Sequence, residues 1–140
     1  MRVRIVVAAL LALLPASVMA AGSNAGFGMG GNYSRFDPVV AQYNASGELF
    51  RISGHCQSSC TLFLGIRSVC IERSASVLFH AAHDRQRNVS PSLTVHMLEA
   101  YNAKLRAYLV AGRYMDTLAF HTISGADIIR RFGYRECPRR

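Results

Sequence analysis

Three segments of the chain carry apolar residues at intervals of three to four positions, which predicts helices. They are residues 37–47, 91–112 and 126–133, and each of them ends at a glycine. Asp37 and Ser124 stand where N-cap residues are expected, at the start of the first and third segments. The middle segment is the longest, and it predicts one amphipathic helix with an apolar face turned to the core.

Short apolar runs fill the spaces between these helices. Residues 49–52, 69–71 and 77–80 predict strands, since each is a compact apolar run bounded by polar or glycine residues. Residues 60–65 predict a buried helix that follows a turn at residues 55–59. Helices and strands that alternate in this way favour an α/β fold with some parallel pairing.

Residues 1–20 predict a secretory signal peptide. Arg2 and Arg4 precede an uninterrupted apolar run at residues 5–14, and small residues place the cleavage after Ala20. The alternative is a membrane anchor, but a spanning helix needs about 20 apolar residues, roughly twice the length of this run. We therefore expect export to the periplasm or the medium, with no integral membrane segment after cleavage.

The remaining residues, 21–140, are expected to form a single domain, with residues 21–29 as a flexible, glycine-rich lead. The formal net charge of the whole chain is +8, but its arginines are dispersed rather than gathered in one run. Aromatic residues do not alternate with the basic ones as they do in nucleic-acid modules. The composition therefore predicts a basic surface and no nucleic-acid partner.

The cysteine count is even, and all four cysteines follow the predicted cleavage site. An exported chain with four cysteines is expected to contain two disulfides, for which three pairings exist. Zinc is the competing use, but the chain has no Cys-x-x-Cys pair. His80 and His83 are three residues apart at the end of a predicted strand, so they do not share a face for a metal. We expect neither a metal nor a cofactor.

The segment from Gly54 to Thr61 contains two serines and two cysteines between a predicted strand and a predicted helix. A serine at such a turn is exposed beside the free N–H groups of the helix start, which can bind a developing oxyanion. The Gly-x-Ser-x-Gly elbow of α/β-hydrolases is absent. Taken alone, the pattern favours a serine that caps the helix.

The region from Leu49 to His83 resembles the Clp protease proteolytic-subunit and crotonase superfamily, and in particular its small exported bacterial members. Those members carry a Cys-x-Ser-Ala-Cys-Thr element, which reads Cys-Gln-Ser-Ser-Cys-Thr at residues 56–61. A strand that ends in histidine follows the element, and a Gly-Gly turn precedes it at residues 30–31. The resemblance implies a small, shortened ClpP/crotonase-like layered fold.

The resemblance also implies a role for each matching residue. Ser58 corresponds to the serine nucleophile and His80 to the general base that takes its proton. The backbone N–H groups of Gly31 and Ser59 correspond to the oxyanion donors, although the Ser59 hydroxyl is a rival nucleophile. Asp116 lies in the region of the third catalytic residue, an acid before the last helix.

Among the three disulfide pairings we favour Cys56–Cys60 with Cys70–Cys137. The first bridge would span the serine turn, and the second would tie the C-terminal tail to the sheet. Two functions stay open: a serine hydrolase or peptidase of unknown substrate, and a non-catalytic binding or structural module of the same fold. An uncovered sheet edge would also favour a homo-oligomer.

Overall fold

The computed structural model describes residues 22–139, so the predicted signal peptide lies outside the described residues. The strands in this range are β1 (Gly22–Ser23), β2 (Phe50–Ile52), β3 (His55–Gln57), β4 (Val69–Ile71), β5 (Ser76–Phe79) and β6 (His121–Ser124). The α-helices are α1 (Asp37–Ser46), α2 (Pro91–Glu99), α3 (Ala103–Ala111) and α4 (Gly125–Phe132), and there are 3₁₀ helices at Tyr33–Arg35 and Ser58–Gly65. Among residues 22–139 no helix is long and apolar enough to cross a membrane.

The strands form two small sheets. In the first, β2 lies between β1 and β4 and pairs with both in parallel, with Phe50 opposite Val69. In the second, β5 lies between β3, with which it is parallel, and β6, with which it is antiparallel. The prediction of a mixed α/β fold with parallel pairing is confirmed.

The core is centred on the 3₁₀ helix Ser58–Gly65, which we call the site helix. Residues 59–64 of this helix are all buried. Phe63 packs against Phe27, Phe36 and Phe50, with ring centroids 4.6–5.4 Å apart. Rings in this range make favourable aromatic contacts in addition to the apolar area they bury. The site helix is therefore anchored in the core, and only its end residues, Ser58 and Gly65, are partly exposed.

Two disulfides, Cys56–Cys60 and Cys70–Cys137, join the four cysteines, which confirms the favoured pairing. The second bridge fastens the C-terminal tail beside β4, where the Ile71 N–H donates to the Arg135 carbonyl (2.9 Å). The predicted link between tail and sheet is thus backed by backbone hydrogen bonds.

The long helix predicted for residues 91–112 is wrong, because the structure divides it into α2 and α3. Asn102 lies at the break with an extended backbone, and its side chain accepts from the Leu105 N–H (3.0 Å) as the N-cap of α3. Its amide also donates to the Phe132 carbonyl (2.8 Å). Asparagine competes well for backbone groups at helix starts, and here this outweighs the continuous apolar period.

The sequence also missed two strands of the second sheet. Residues 55–57, predicted as part of a turn, form β3, because the chain turns earlier, at Gly54 with a φ of 59°. Strand β6 escaped prediction since Ile123 is its one buried residue, which leaves no recognisable alternation. Both strands flank β5, and β3 leads directly into the site helix.

The predicted helix ends are largely as observed. Gly47 and Gly133 adopt left-handed conformations after α1 and α4, and the Ser124 side chain accepts from the Asp127 N–H (3.1 Å). Asp37, expected as the N-cap, is instead the first residue of α1, and Phe36 occupies the cap position. No side chain caps α1, which leaves the Asp37 carboxylate available to His96 (3.0 Å).

Residues 22–24, which the sequence places in a flexible lead, are bound to the sheet. Strand β1 pairs with β2, and the buried Asn24 side chain bridges two neighbouring backbone positions. Its amide donates to the Ser53 and His55 carbonyls (3.0 and 3.1 Å), and its oxygen accepts from the Ser53 N–H (2.9 Å). Asn24 therefore fixes the start of the segment that carries Gly30 and Gly31, residues 24–31, which we call the glycine loop.

Candidate functional site

Ser58 lies at the point where β3 ends and the site helix begins. Its φ of 55° falls in the left-handed region, which costs a residue with a side chain about 1–2 kcal/mol. The Cys56–Cys60 disulfide spans this turn, and both of its cysteines are fully buried. The bridge therefore braces Ser58 in a conformation that a free chain would rarely adopt, and such strain is often found at functional sites.

The glycine loop packs directly against this serine. A Cβ atom placed on Gly30 would lie 2.8 Å from the Ser58 Cβ and 2.9 Å from the Gln57 carbonyl oxygen. Gly30 also has a φ of 75°, so both its conformation and its surroundings require glycine. The loop is held there by the Gln57 N–H, which donates to the Gly28 carbonyl (2.9 Å).

A second contact fixes Ser58 from the core side. The Thr61 hydroxyl donates to the Ser58 carbonyl (2.7 Å), and the buried Tyr101 hydroxyl lies 2.6 Å from the Thr61 hydroxyl. Since Thr61 donates its proton to Ser58, Tyr101 is the donor to Thr61. Burial raises the pKa of Tyr101 well above its ordinary value, so this donor keeps its proton. Thr61 is the last residue of the motif at residues 56–61, but the resemblance implied no role for it.

The two predicted oxyanion donors lie beside Ser58. Ser59 is in the first turn of the site helix, which has no side-chain cap, so its N–H lacks an intrahelical acceptor. Gly31 follows Gly30 in the glycine loop with a φ of 143°, another position that favours glycine. The Ser59 hydroxyl donates to the Gly31 carbonyl (2.6 Å) and is itself buried. The sequence left the Ser59 hydroxyl as a rival nucleophile, but this hydrogen bond occupies its proton.

These residues open onto one cavity of about 330 Å³. Its walls bring together four of the five predicted catalytic and oxyanion residues, and they also contain apolar groups and a second histidine. The lining residues are Gly31, Asn32, Tyr33, Ser58, Ser59, His80, Ala82, His83 and Leu93. None of these residues is acidic, so the cavity wall carries no negatively charged side chain.

His80 directly follows β5 and reaches the cavity from the sheet. Its residue is only 5 % exposed, and within residues 22–139 its Nδ1 atom has no hydrogen-bond partner. The Phe120 ring packs edge-to-face against the imidazole, with centroids 4.8 Å apart. Desolvation lowers the pKa of His80, and the nearby His83 and Arg87 lower it further, against an opposing effect of the Ala81 backbone. His80 is therefore neutral at pH 7 and able to accept a proton.

Asp116, the predicted third catalytic residue, does not line this cavity. Its carboxylate accepts from the Arg113 guanidinium (2.7 Å) and borders a different, mostly apolar groove with Val89 and Val110. Asp116 follows α3, and the path of that segment turns its side chain to the outer surface. The structure thus brings Ser58 and His80 to one cavity without a predicted acid beside them.

His83 also lines the cavity, although the sequence considered it only as a metal ligand. Its Nδ1 lies 2.7 Å from the Asp84 carbonyl oxygen, which can only accept, so Nδ1 carries the proton. The ring centroid lies 6.2 Å from that of His80. The spacing of the two histidines could have indicated a shared site, but only the path of the chain after β5 brings both rings to the cavity.

The outer wall of the cavity is formed by Tyr33 and Leu93. The Tyr33 hydroxyl donates to the Leu93 carbonyl (3.0 Å), which joins the 3₁₀ helix Tyr33–Arg35 to α2. Burial, with a smaller contribution from Asp37, raises the pKa of Tyr33 far above its ordinary value. Tyr33 is therefore a permanent hydrogen-bond donor and a largely apolar wall.

Among residues 22–139, no group of three histidine, cysteine, aspartate or glutamate side chains is arranged to hold a metal ion. The cysteines are all consumed by disulfides in this range, which removes the thiolate ligands of a zinc site. The chemistry available at the cavity is that of a serine hydroxyl, two imidazoles and backbone N–H groups.

Comparisons of the chain with protein-family models, with curated proteins and with solved structures found no match.

Proposed function

We propose that this chain is an exported serine hydrolase, related to the Clp protease and crotonase superfamily, in which Ser58 is the nucleophile and His80 the general base. One observation carries the proposal: a conformationally strained Ser58 and a buried, neutral His80 line the same cavity. Strained nucleophiles at strand-to-helix turns are typical of hydrolases. The two disulfides fit the periplasm or the medium as the site of action.

In the proposed reaction, His80 accepts the Ser58 proton as the hydroxyl oxygen attacks an acyl carbon. The Nδ1 atom is enclosed, so Nε2 is the nitrogen that serves the cavity. The Gly31 and Ser59 N–H groups stabilise the negative charge that develops on the acyl oxygen, a contribution worth about 100-fold or more per donor in related chemistry. The leaving group then takes the proton from His80, and an ester on Ser58 remains.

The cavity limits the substrate that we propose. A volume of about 330 Å³ is at the lower end for small-molecule sites, so it suits one acyl group or one side chain. Leu93, Ala82 and the Tyr33 ring make part of the wall apolar. An ester or peptide bond next to a small apolar group is therefore the substrate class that fits, with peptide as the expectation from the superfamily.

A non-catalytic binding module of the same fold is the second candidate. Within residues 22–139 the His80 Nδ1 has no partner and Asp116 lies outside the cavity, and both observations favour it, because a triad acid normally orients the histidine. The strain at Ser58 argues against it, since a binding module has no need of a strained serine.

A fluorophosphonate probe distinguishes the two candidates. The proposal predicts that the folded wild-type protein is labelled covalently, that Ser58→Ala abolishes labelling and that Ser59→Ala retains it. His80→Gln should slow labelling by about 100-fold or more, the usual contribution of a general base. Retention of the native circular dichroism spectrum is the control for each variant. A folded wild-type protein that does not react would exclude the hydrolase and leave the binding module.

A further inference from the structure

We propose that His83 is a second catalytic base, which deprotonates the water that hydrolyses the Ser58 acyl ester. The inference rests on the proposed function, since it assigns the second half of that reaction. In this assignment His80 is the general base for Ser58, and His83 is the general base for the water. Neither the motif nor the resemblance gives His83 any catalytic role.

The tautomer of His83 is fixed by the backbone. Its Nδ1 donates to the Asp84 carbonyl (2.7 Å), so the lone pair resides on Nε2. A histidine with Nδ1–H held by an acceptor and Nε2 free has the arrangement required of a general base. His80 lacks such a partner on its own Nδ1 within the described residues. Of the two rings, His83 is therefore the one whose Nδ1 is held by a hydrogen bond.

The loop that carries His83 is itself well braced. His83 forms an isolated bridge with Val89, and the Asp84 carboxylate accepts from the Gln86 and Asn88 N–H groups (2.9 Å each). These bonds occupy the Asp84 carboxylate, while the Asp84 carbonyl accepts from the Arg87 N–H (3.1 Å) as well as from His83. A base must hold its position to act, and this network provides the rigidity.

Solvent access separates the two histidines. His80 is 5 % exposed, whereas His83, which lines the same cavity, is only half-buried and therefore more accessible to solvent. The ring centroids are 6.2 Å apart, so the two imidazoles are neighbours in the wall of the same cavity.

The step balances as a hydrolysis. His83 Nε2 takes a proton from water, and the water oxygen forms a bond to the acyl carbon of the Ser58 ester. The bond between that carbon and the Ser58 oxygen then breaks. The serine oxygen recovers the proton held by His83 through the solvent of the cavity, and the carboxylic acid leaves. No oxidant, metal or further reactant is needed.

The test separates acylation from deacylation with p-nitrophenyl acetate, in wild type and His83→Gln. Acylation releases nitrophenolate, so slow deacylation in the variant should give a burst stoichiometric with the protein and then a steady rate lower by about 100-fold or more. Intact-protein mass spectrometry should show the acetyl group accumulating on the variant. Fluorophosphonate labelling, which needs acylation chemistry alone, should change by only a few-fold.

Two further variants guard the interpretation. His83→Ala leaves space for a small base, so added imidazole should restore its steady rate, which a purely structural role would not allow. His121→Gln removes a histidine that does not line the cavity and should hydrolyse the ester like wild type. If His83→Gln hydrolyses at the wild-type rate while Ser58 is labelled, the role of His83 is refuted and the hydrolase stands. If the wild type is not labelled at all, the hydrolase itself is refuted.

Discussion

The Ser59 hydroxyl donates a 2.6 Å hydrogen bond to the Gly31 carbonyl, which ties the site helix to the glycine loop. The bond joins the two residues whose backbone N–H groups are the proposed oxyanion donors. It also fixes the plane of the peptide bond that follows Gly31 and draws the loop towards Ser58. The second serine of the motif therefore acts as a brace, where the superfamily element has an alanine.

Loss of this bond should loosen the oxyanion site without removing the nucleophile. For Ser59→Ala we expect the free energy of unfolding to fall by about 1 kcal/mol, the usual net value of one hydrogen bond. The rate constant for fluorophosphonate labelling should fall by about tenfold, which corresponds to about 1.4 kcal/mol in the barrier. Urea denaturation and timed labelling measure the two effects.

Ser34→Ala, at an exposed serine of the neighbouring 3₁₀ helix, is the matched control and should change neither quantity. Complete loss of labelling in folded Ser59→Ala would mean that Ser59, rather than Ser58, carries the reaction.

Gly30 should tolerate no side chain because of its contact with Ser58, and comparison with a variant at Gly26 separates this contact from backbone strain. Gly26 and Gly30 have nearly equal positive φ angles of 78° and 75°, but a Cβ would meet nothing within 4 Å at Gly26 and the Ser58 Cβ at 2.8 Å at Gly30. Both alanine variants should lose about 1–2 kcal/mol of unfolding free energy to backbone strain. Only Gly30→Ala should also lose most of the labelling at Ser58.

Equal labelling of the Gly26→Ala and Gly30→Ala variants would contradict the close approach of the glycine loop to the nucleophile. The comparison needs no assumption about the substrate, because the probe reports on the serine alone.

The sequence was sufficient for the parts of the fold that local chemistry determines. The αL glycines 47 and 133, the Ser124 cap and the strand at residues 69–71 follow from rules that act within a few positions. The division of residues 91–112 at Asn102 follows only in part: its cap on Leu105 is local, but two further bonds that hold Asn102 come from Phe132 and Tyr134, 30 and 32 residues away.

The candidate site divides in the same way. The motif indicated Ser58, Ser59 and the disulfide around them, since these residues are adjacent in sequence. The braces from Thr61 to Tyr101 and from His80 to Phe120 join residues forty positions apart, and no local period reports such contacts. Asp116 was predicted as the catalytic acid only because it precedes the last helix in the sequence. In the structure it borders a different groove.

The environment of His80 predicts the pH dependence of the reaction. Burial lowers its pKa below the ordinary histidine value of about 6.5, and electrostatic contributions from His83 and Arg87 act in the same direction, against an opposing effect of the Ala81 backbone. The labelling rate should therefore persist below pH 6.5 and decline only as the pH falls through the lowered pKa. Folding stability should also fall as the pH drops below about 6.5, because the unfolded chain takes up the proton more readily.

Phe120→Ala exposes the imidazole to water and should raise this pKa towards the ordinary value, so that the acid limb of the labelling rate moves to higher pH. The measurement is the labelling rate between pH 4 and 8 at constant ionic strength, values chosen to bracket the ordinary pKa of about 6.5. A wild-type limb above the ordinary value would show that His80 is not a buried, neutral base.

The two disulfides should contribute differently to stability and to activity. Cys70–Cys137 spans 67 positions and, on the chain-entropy model, stabilises the fold by about 4 kcal/mol, against about 2 kcal/mol for the Cys56–Cys60 bridge, which spans 4. The Cys70→Ala/Cys137→Ala variant should therefore unfold at lower urea. The Cys56→Ala/Cys60→Ala variant should lose more of its labelling while still folded, because Ser58 is free to leave its strained conformation.

Thermal and urea unfolding of the two double variants, each paired with its labelling rate, tests this division. Unchanged labelling in the folded Cys56→Ala/Cys60→Ala variant would mean that the glycine loop and Thr61 hold Ser58 without the bridge.

The central claim is that Ser58 is an activated nucleophile. It is tested most directly by digesting the phosphonylated wild-type protein and locating the adduct by tandem mass spectrometry. The account predicts one modified residue, Ser58, with Ser59 and the cavity residue Tyr33 unmodified. An adduct on Ser59 or Tyr33, or a folded protein that carries no adduct, would contradict it.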